Sequence, residues 1–112
     1  MPETLFTKII AKQIPAKIEY EDENYIAIHD IAPQAPVHLL IITKKVIQTL
    51  NDARPEDAQR VGGMFLLTAK LMKKLGYADY RTVFNCGPGA GQTIFHLHLH
   101  VLAGRPFTFP PG

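Results

Sequence analysis

Residues 92–104 read QTIFHLHLHVLAG, and three of the chain's five histidines occupy alternate positions in this segment. Side chains alternate between the two faces of a β-strand, so His96, His98 and His100 are expected on one face and the intervening apolar residues on the other. The apolar face predicts a strand that packs on a core. Three imidazoles in a row pack poorly, because each ring has two nitrogens that need hydrogen-bond partners. The histidine face is therefore expected to have a chemical use.

Three interpretations of the histidine face compete. The first is a solvated strand face that is rich in histidine by chance, and the strict alternation of three histidines argues against it. The second is a zinc site, which would need His38 or Cys86 as further ligands, since no carboxylate lies nearby in the sequence. The third is covalent catalysis, in which one imidazole is the nucleophile and its neighbours fix its tautomer and handle protons.

The pattern of the remaining chain predicts an α+β fold with a five-stranded antiparallel sheet, one short N-terminal helix and one long helix. The short helix starts at Glu3 or Thr4, runs to about Lys12 and ends before Pro15. The expected strands are residues 16–22 and 25–30, which form a hairpin, then 37–45, 80–87 and the histidine segment.

The long helix is expected over residues 55–75, with Pro55 at a first helical position and Gly76 after its end. Its predicted apolar stripe consists of Val61, Met64, Phe65, Thr68, Leu71, Met72 and Leu75. Gly62 and Gly63 are unfavourable inside a helix, so something is expected to pack closely against them.

The composition excludes several classes of protein. The 112 residues fit a single domain spanning 1–112. Lys and Arg number 12 against 10 Asp and Glu, with the two signs interspersed, so no nucleic-acid partner is expected. The apolar runs are shorter than the ~20 residues of a membrane helix, so no membrane partner is expected either. Cys86 has no partner within the chain and the N-terminus lacks the layout of a signal peptide, so a soluble, cytoplasmic protein is expected.

The segment GQTIFHLHLHVLAGRP, residues 91–106, resembles the His-x-His-x-His-x-x motif of the histidine triad superfamily of nucleotide-binding hydrolases and transferases. The resemblance extends to most of the chain. Residues 29–45, HDIAPQAPVHLLIITKK, are similar to the upstream segment of the HINT branch, and residues 80–105 are similar to its last two strands. The terminal PPG is similar to the end of that branch.

The resemblance implies a role for each histidine of the set. His98 matches the nucleophile that attacks the α-phosphorus of a nucleotide and forms a nucleotidyl-histidine intermediate. His100 would contact the α-phosphate and handle the proton of the leaving group, and His96 would brace the nucleophile. His38 would hydrogen-bond into the set. The resemblance implies neither a cofactor nor a metal, because zinc would occupy the lone pair that His98 needs.

The resemblance also implies a nucleotide site. Asn85 and Thr93 would bind the phosphate and the leaving group, and Gly91 with Gln92 would let backbone donors approach the phosphate oxygens. Asp30 would hold the ribose hydroxyls, although an aspartate at the start of DIAP also suits a turn. The apolar residues that match the lining of the base pocket are Leu5, Phe6, Ile9, Ile28 and Ile31.

Two further residues bear on this comparison. Strand alternation puts His29 on the face opposite to Asp30. Phe109 stands where this branch often has a tryptophan that reaches the partner subunit's active site, and phenylalanine keeps the ring but loses the indole donor.

The function implied by the resemblance is that of a homodimeric purine nucleoside phosphoramidase, which hydrolyses the P–N bond of adenosine or guanosine phosphoramidates to the nucleoside monophosphate and an amine. One alternative is a dinucleoside polyphosphate hydrolase of the neighbouring branch, which lacks the DIAPQAP stretch and the PPG end. The other is a module that binds a nucleotide or zinc without turnover.

Overall fold

The computed structural model of the protein describes residues 3–112 and contains one antiparallel sheet of five strands. The strand order across the sheet is β1-β2-β3-β5-β4. This architecture, with one short and one long helix, confirms the predicted α+β class. The elements in chain order are α1 Leu5–Ile10, β1 Ile18–Glu21, β2 Tyr25–His29, β3 Val37–Thr43, α2 Ala58–Leu75, β4 Tyr80–Val83 and β5 His98–Ala103.

The two faces of the sheet pack against different helices. One face belongs to the larger core beneath α2, to which β5 contributes Leu99 and Val101. The other face carries a smaller cluster, in which Phe6 and Ile9 of α1 meet residues of β2 and β3. Strand alternation places His98 and His100 on this second face. Their register partners Ile42 and Leu40 in β3 belong to the smaller cluster.

Helix α1 begins as predicted and ends earlier than predicted. Thr4 is its N-cap and forms a reciprocal capping box with Thr7. The last helical residue is Ile10, two residues before the expected end. Lys12 has a φ of 62°, in the left-handed region that a right-handed helix cannot accommodate, so the chain leaves the helix before it reaches Pro15.

Helix α2 follows a short 3-10 turn at Pro55–Asp57 and ends at Leu75, and the φ of 87° at Gly76 suits a left-handed C-cap. The predicted apolar stripe was wrong at one position. Phe65 is 43% exposed, and Leu67 is buried in its stead. One helix face has the i, i+3, i+4, i+7 spacing and consists of Met64, Leu67, Thr68 and Leu71, which leaves Phe65 on the flank.

No helix among residues 3–112 is long and apolar enough to cross a bilayer.

The histidine strand is shorter than the sequence pattern predicted. β5 begins at His98, so His96 and Leu97 precede it. The physical reason lies at Thr43, the last residue of β3. Its carbonyl accepts a hydrogen bond from the His96 ring at 2.6 Å, which replaces the main-chain ladder at that point. β4 likewise ends at Val83, four residues before Gly87.

The glycine pair in α2 allows a matched test of the packing. A Cβ on Gly63 would overlap the Tyr25 hydroxyl oxygen, whereas a Cβ on Gly62 would meet nothing within 4 Å. The same hydroxyl donates to the Arg60 carbonyl at 2.6 Å. Close packing was therefore predicted correctly, but at Gly63 alone.

We expect Gly63→Ala to lower the free energy of unfolding by about 1–3 kcal/mol, because the added methyl displaces the tyrosine ring. Gly62→Ala should raise it by about 0.5–1 kcal/mol through the restricted unfolded chain and better helix propensity. Urea unfolding of the two variants and the wild type, at one protein concentration, measures both changes in the free energy of unfolding. Equal effects of the two substitutions would contradict this account of the Tyr25 contact.

Candidate active site

Four side chains from three parts of the chain meet on the α1 face of the sheet. His98 and His100 come from β5, and His38 comes from the adjacent strand β3. His38 Nε2 lies 3.0 Å from His100 Nδ1. Asp30 follows β2 directly, and its Oδ2 lies 3.5 Å from His38 Nε2. The sequence did not place a carboxylate beside the histidines, because Asp30 reaches them only through the pairing of β2 with β3.

His96 has no solvent-exposed surface and both of its ring nitrogens are bonded within the protein. A carbonyl oxygen only accepts, so the bond at 2.6 Å to the Thr43 carbonyl places the ring proton on Nε2. Nδ1 then accepts from the Thr4 hydroxyl, whose oxygen lies 3.1 Å away. His96 therefore offers no free nitrogen to a ligand and braces its surroundings. Its ring lies on the same side as that of His98, since Phe6 makes an edge contact with both.

The tautomer of His98 follows from a single contact. Its Nδ1 lies 2.7 Å from the His96 carbonyl oxygen, which accepts only, so Nδ1 carries the proton. The lone pair of the neutral ring is then on Nε2. The Phe6 ring packs edge-on against the same imidazole, with 5.0 Å between the centroids. His98 is thus held by its backbone neighbour and presents an unprotonated nitrogen.

The tautomers of His38 and His100 follow from the backbone N–H of Gln34. The backbone N–H of Gln34 donates to His38 Nδ1 at 3.0 Å, so the neutral ring carries its proton on Nε2. That proton is donated to His100 Nδ1 at 3.0 Å, which leaves the His100 proton on Nε2. The ring centroids of His98 and His100 lie 5.1 Å apart. The site therefore presents a bare nitrogen at His98 beside an N–H donor at His100.

These assignments require neutral rings, and the surroundings favour the neutral form. Burial lowers the pKa of His38, His96 and His98 below the ordinary value of 6.5. The pKa of His100 falls to about 4, mainly through burial and further through the neighbouring His98 and His38. A neutral imidazole near pH 7 can act as a nucleophile.

One group of side chains has the spacing of a metal site. Ligand atoms of Asp30, His38 and His100 lie within 4.8 Å of one another. A metal takes the lone pair of a ring nitrogen, but the Gln34 N–H bond requires that His38 Nε2 carry a proton. A metal at Nε2 would move that proton to Nδ1, where it would face the Gln34 N–H. The hydrogen-bond arrangement thus disfavours a metal and suits a ring that donates to His100.

The loop between β4 and β5 holds the residues expected to contact phosphate. The side chain of Gln92 is buried and bonds the Gly87 amide at 2.9 Å and the Gln48 carbonyl at 2.8 Å. Gln92 thereby fastens the loop to the chain that follows β3.

The expected use of backbone donors in this loop needs a correction. The N–H of Gly91 donates to the Pro88 carbonyl, and that of Gln92 donates to the Gly87 carbonyl. Both groups are therefore occupied by the turn and are not free for phosphate in this conformation. Asn85 lies next to Gly91, since a Cβ on that glycine would be 3.8 Å from Asn85 Nδ2. The polar side chains that remain for an anion are those of Asn85 and the exposed Thr93.

Asp30 combines the two roles that the sequence left open. Its Oδ1 accepts from the Ala32 N–H at 2.8 Å, which is the expected turn. Its Oδ2 faces His38 at 3.5 Å and forms no shorter bond. One carboxylate oxygen therefore shapes the turn, and the other is available to a ligand. His29 lies on the opposite face, as alternation predicted, where it contacts Glu19 at 2.9 Å.

The apolar residues assigned to the base pocket divide into two groups. Phe6, Ile9 and Ile28 are buried in the smaller core cluster, where Phe6 supports the histidine rings. Leu5 is 42% exposed and Ile31 is 97% exposed. Only these last two present an open apolar surface. No local sequence pattern marks the support that Phe6, Thr43 and Gln34 give to the rings, since each contact depends on the tertiary fold.

Comparison with known proteins identifies the family. The HIT domain model matches residues 11–107. An uncharacterized HIT-like protein of Synechocystis sp. is 50% identical over 111 residues, which cover 98% of this chain and 97% of that protein. The crystal structure of a HIT family hydrolase from Legionella pneumophila is 46% identical, with a TM-score of 0.95 over 98% of this chain and 100% of that one. A HIT family hydrolase from Clostridium thermocellum is 44% identical, with a TM-score of 0.89 over 94% of this chain and 93% of that one.

The low pKa of His100 predicts a loss of stability in mild acid. Between about pH 6.5 and 4 the unfolded chain binds a proton that the folded protein excludes, so the free energy of unfolding falls as the pH is lowered through this window. The expected contribution is on the order of 1–3 kcal/mol. Urea unfolding between pH 7 and 5 should show a smaller decline for His100→Gln than for the wild type. An NMR titration that puts the pKa of His100 near 6.5 would refute this.

Proposed function

The chain belongs to the HIT domain family, and from that premise we propose that it hydrolyses the P–N bond of purine nucleoside phosphoramidates through a nucleotidyl intermediate on His98. One observation carries the proposal. The His96 carbonyl holds the proton of His98 on Nδ1, so a neutral ring directs an unprotonated Nε2 into the site. The similarity to HIT family hydrolases supports hydrolysis as the reaction type.

In the proposed first step, His98 Nε2 attacks the α-phosphorus and the P–N bond breaks. The departing nitrogen takes a proton from a water molecule, which becomes hydroxide, and leaves as the amine. The imidazolium that forms keeps its Nδ1–H bond to the His96 carbonyl, which stabilises the new positive charge. The Nε2–H of His100 donates to a phosphate oxygen, since its Nδ1 is already engaged by His38. The hydroxide left by that proton transfer then attacks phosphorus, and the P–Nε2 bond breaks to release the nucleoside monophosphate and neutral His98.

The remaining site residues bind the nucleotide in this proposal. Asn85 and Thr93 contact the phosphate and the leaving group. Asp30 accepts hydrogen bonds from the ribose through Oδ2, because Oδ1 is used by the turn. Leu5 and Ile31 offer exposed apolar surface to a purine. No step needs a metal or a cofactor.

We also propose that the protein acts as a homodimer in the cytoplasm. Phe65 and Leu66 of α2 have 43% and 76% of their surface exposed, and Phe65 contacts Phe84, which directly follows the edge strand β4. An exposed apolar face next to an unpaired strand edge suits association with a second copy. The single free Cys86 suits a reducing compartment.

One test of this proposal concerns the nucleophile. His98→Ala should lower the hydrolysis of a fluorogenic adenosine phosphoramidate by at least about 10³-fold while AMP still binds, because the ring acts in bond formation. The wild-type reaction is quenched without acid, and mass spectrometry of the protein should then detect a nucleotidyl adduct on His98. His29→Ala is the matched control, since His29 lies on the other face of the sheet and should leave turnover unchanged. The assays contain EDTA, and activity should persist.

An adduct on another residue would show that the nucleophile is misassigned. AMP binding without any turnover by the wild type would favour the binding module. Preferential cleavage of diadenosine polyphosphates would favour the neighbouring branch of hydrolases.

Another test of this proposal concerns the sugar. A hydrogen bond to a charged group contributes about 1.5–3 kcal/mol, so the 2′-deoxy substrate should lose roughly ten- to a hundredfold in kcat/KM. Asp30→Asn keeps an acceptor for the Ala32 N–H but presents an amide donor in place of Oδ2, so it should weaken this discrimination and retain the turn. Asp30→Ala should nearly abolish the discrimination. If wild type and Asp30→Ala discriminate equally, Asp30 serves the turn alone.

A further inference from the structure

The proton arrangement of the histidine pair begins at a loop outside the motif. Residues 30–36 connect β2 to β3, and the Gln34 N–H within this loop selects the tautomer of His38. The backbone of Gln34 is held from its other side as well. Arg105, which follows the end of β5, donates from Nε to the Gln34 carbonyl oxygen at 2.8 Å. The same residue thus receives an arginine on its carbonyl and directs its amide to an imidazole.

We propose that Arg105 is a positioning residue, which holds the Gln34 backbone so that His38 carries its proton on Nε2 and His100 presents an Nε2–H to the substrate. The role in turnover rests on the proposed function, but the effect on the tautomer does not. Arg105 touches neither the reacting atoms nor the histidine rings. It acts through the backbone of one residue of the loop, Gln34, whose carbonyl and N–H belong to two adjacent peptide units.

Arg105 is itself oriented by its neighbours. Its guanidinium stacks on the Phe107 ring at 4.3 Å, and its Nη1 donates to the Pro106 carbonyl at 2.9 Å. Within residues 3–112 no carboxylate forms an ion pair with it. A planar guanidinium fixed by stacking loses little further freedom when it binds a carbonyl, so this arginine is well suited to anchor a backbone group.

The loop has few other anchors near Gln34. Pro33 and Pro36 lack backbone N–H groups and cannot donate to the protein. The Gln34 side chain bonds only locally, to the Ala32 carbonyl at 3.0 Å. Pro36 packs against Gly104, where a Cβ would approach the proline Cβ to 2.9 Å. The turn after β5 therefore holds the loop at Pro36 by packing, and Arg105 adds a hydrogen bond to the Gln34 carbonyl.

Loss of this contact should change the His38 tautomer before it changes the fold. With the Gln34 N–H less well aligned, the neutral ring of His38 can move its proton to Nδ1. His38 Nε2 would then accept instead of donate, and His100 would have to turn its own proton towards His38. The His100 donor would no longer face the phosphate. The lost hydrogen bond lies on the protein surface, so the stability should change little.

The test uses the full-length protein labelled with 15N in its histidines, at a pH where the rings are neutral. Two-bond 1H–15N spectra identify which nitrogen of each ring carries the proton. We expect the wild type to show His38 and His100 protonated on Nε2. Arg105→Met should shift the His38 nitrogens towards a mixture of tautomers, and Arg105→Lys should restore them in part. Arg81→Met is the matched control, because Arg81 also lies over the Phe107 ring and donates to the Thr108 carbonyl but forms no hydrogen bond with Gln34.

Kinetics provide the second measurement. Arg105→Met should lower kcat by roughly three- to tenfold with little change in KM, which is within the range of a single hydrogen bond. Unchanged His38 nitrogen shifts in Arg105→Met, or equal shifts in Arg81→Met, would overturn the assignment. A wild-type His38 protonated on Nδ1 would overturn it too. If the tautomer changes but the wild type cleaves no phosphoramidate, the positioning role stands and the proposed function fails.

Discussion

The buried imidazole of His96 is the contact on which the site depends. The Nε2–H of its ring donates to the Thr43 carbonyl at the end of β3, and Nδ1 accepts from Thr4, the N-cap of α1. The backbone carbonyl of His96 accepts from the His98 ring. Three elements therefore meet at one residue. The ring has no exposed surface, so any lost partner would leave a buried polar group unsatisfied, at a cost of about 1–3 kcal/mol. The same bonds that stabilise the fold orient the histidine beside it.

Closely packed imidazoles cannot all be charged, and this constraint decides the chemistry. Burial and mutual repulsion keep the rings neutral, so each has one donor and one acceptor. The two ends of the network differ in kind. A carbonyl stands at the His98 end and an N–H stands at the His38 end. The His96 carbonyl fixes the proton of His98, and the Gln34 N–H fixes those of His38 and His100, so the site obtains a lone pair next to a donor.

The sheet separates support from reactivity. The face beneath α2 is packed with apolar side chains and holds β3 and β5 in register. The opposite face is covered by α1 over β2 and β3. Over β4, the C-terminal residues Phe107 and Phe109 contact the Arg81 guanidinium with their rings. Asp30 and the reactive histidines lie on this second face. The site is thus built on rigid strands, while the segments beside it supply the contacts that orient its side chains.

The sequence by itself determined the elements and the family. The period of two in residues 96–101 predicted which side chains share a face, and the motif with its flanking segments indicated the histidine triad. It also predicted that His29 would lie opposite to Asp30. These properties follow from local periodicity and from short patterns that can be read along the chain.

Only the tertiary structure decided where the protons lie and which donors are free. His96 lies before the start of β5, and its ring donates to the Thr43 carbonyl. The N–H groups of Gly91 and Gln92 donate to carbonyls of their own loop. Gln34 emerged as the residue that sets the tautomer of His38. The physical reason is that most of these partners are far apart in sequence, 53 residues for His96 with Thr43 and 62 for His38 with His100. Hydrogen-bond direction depends on such pairings, and no local pattern encodes it.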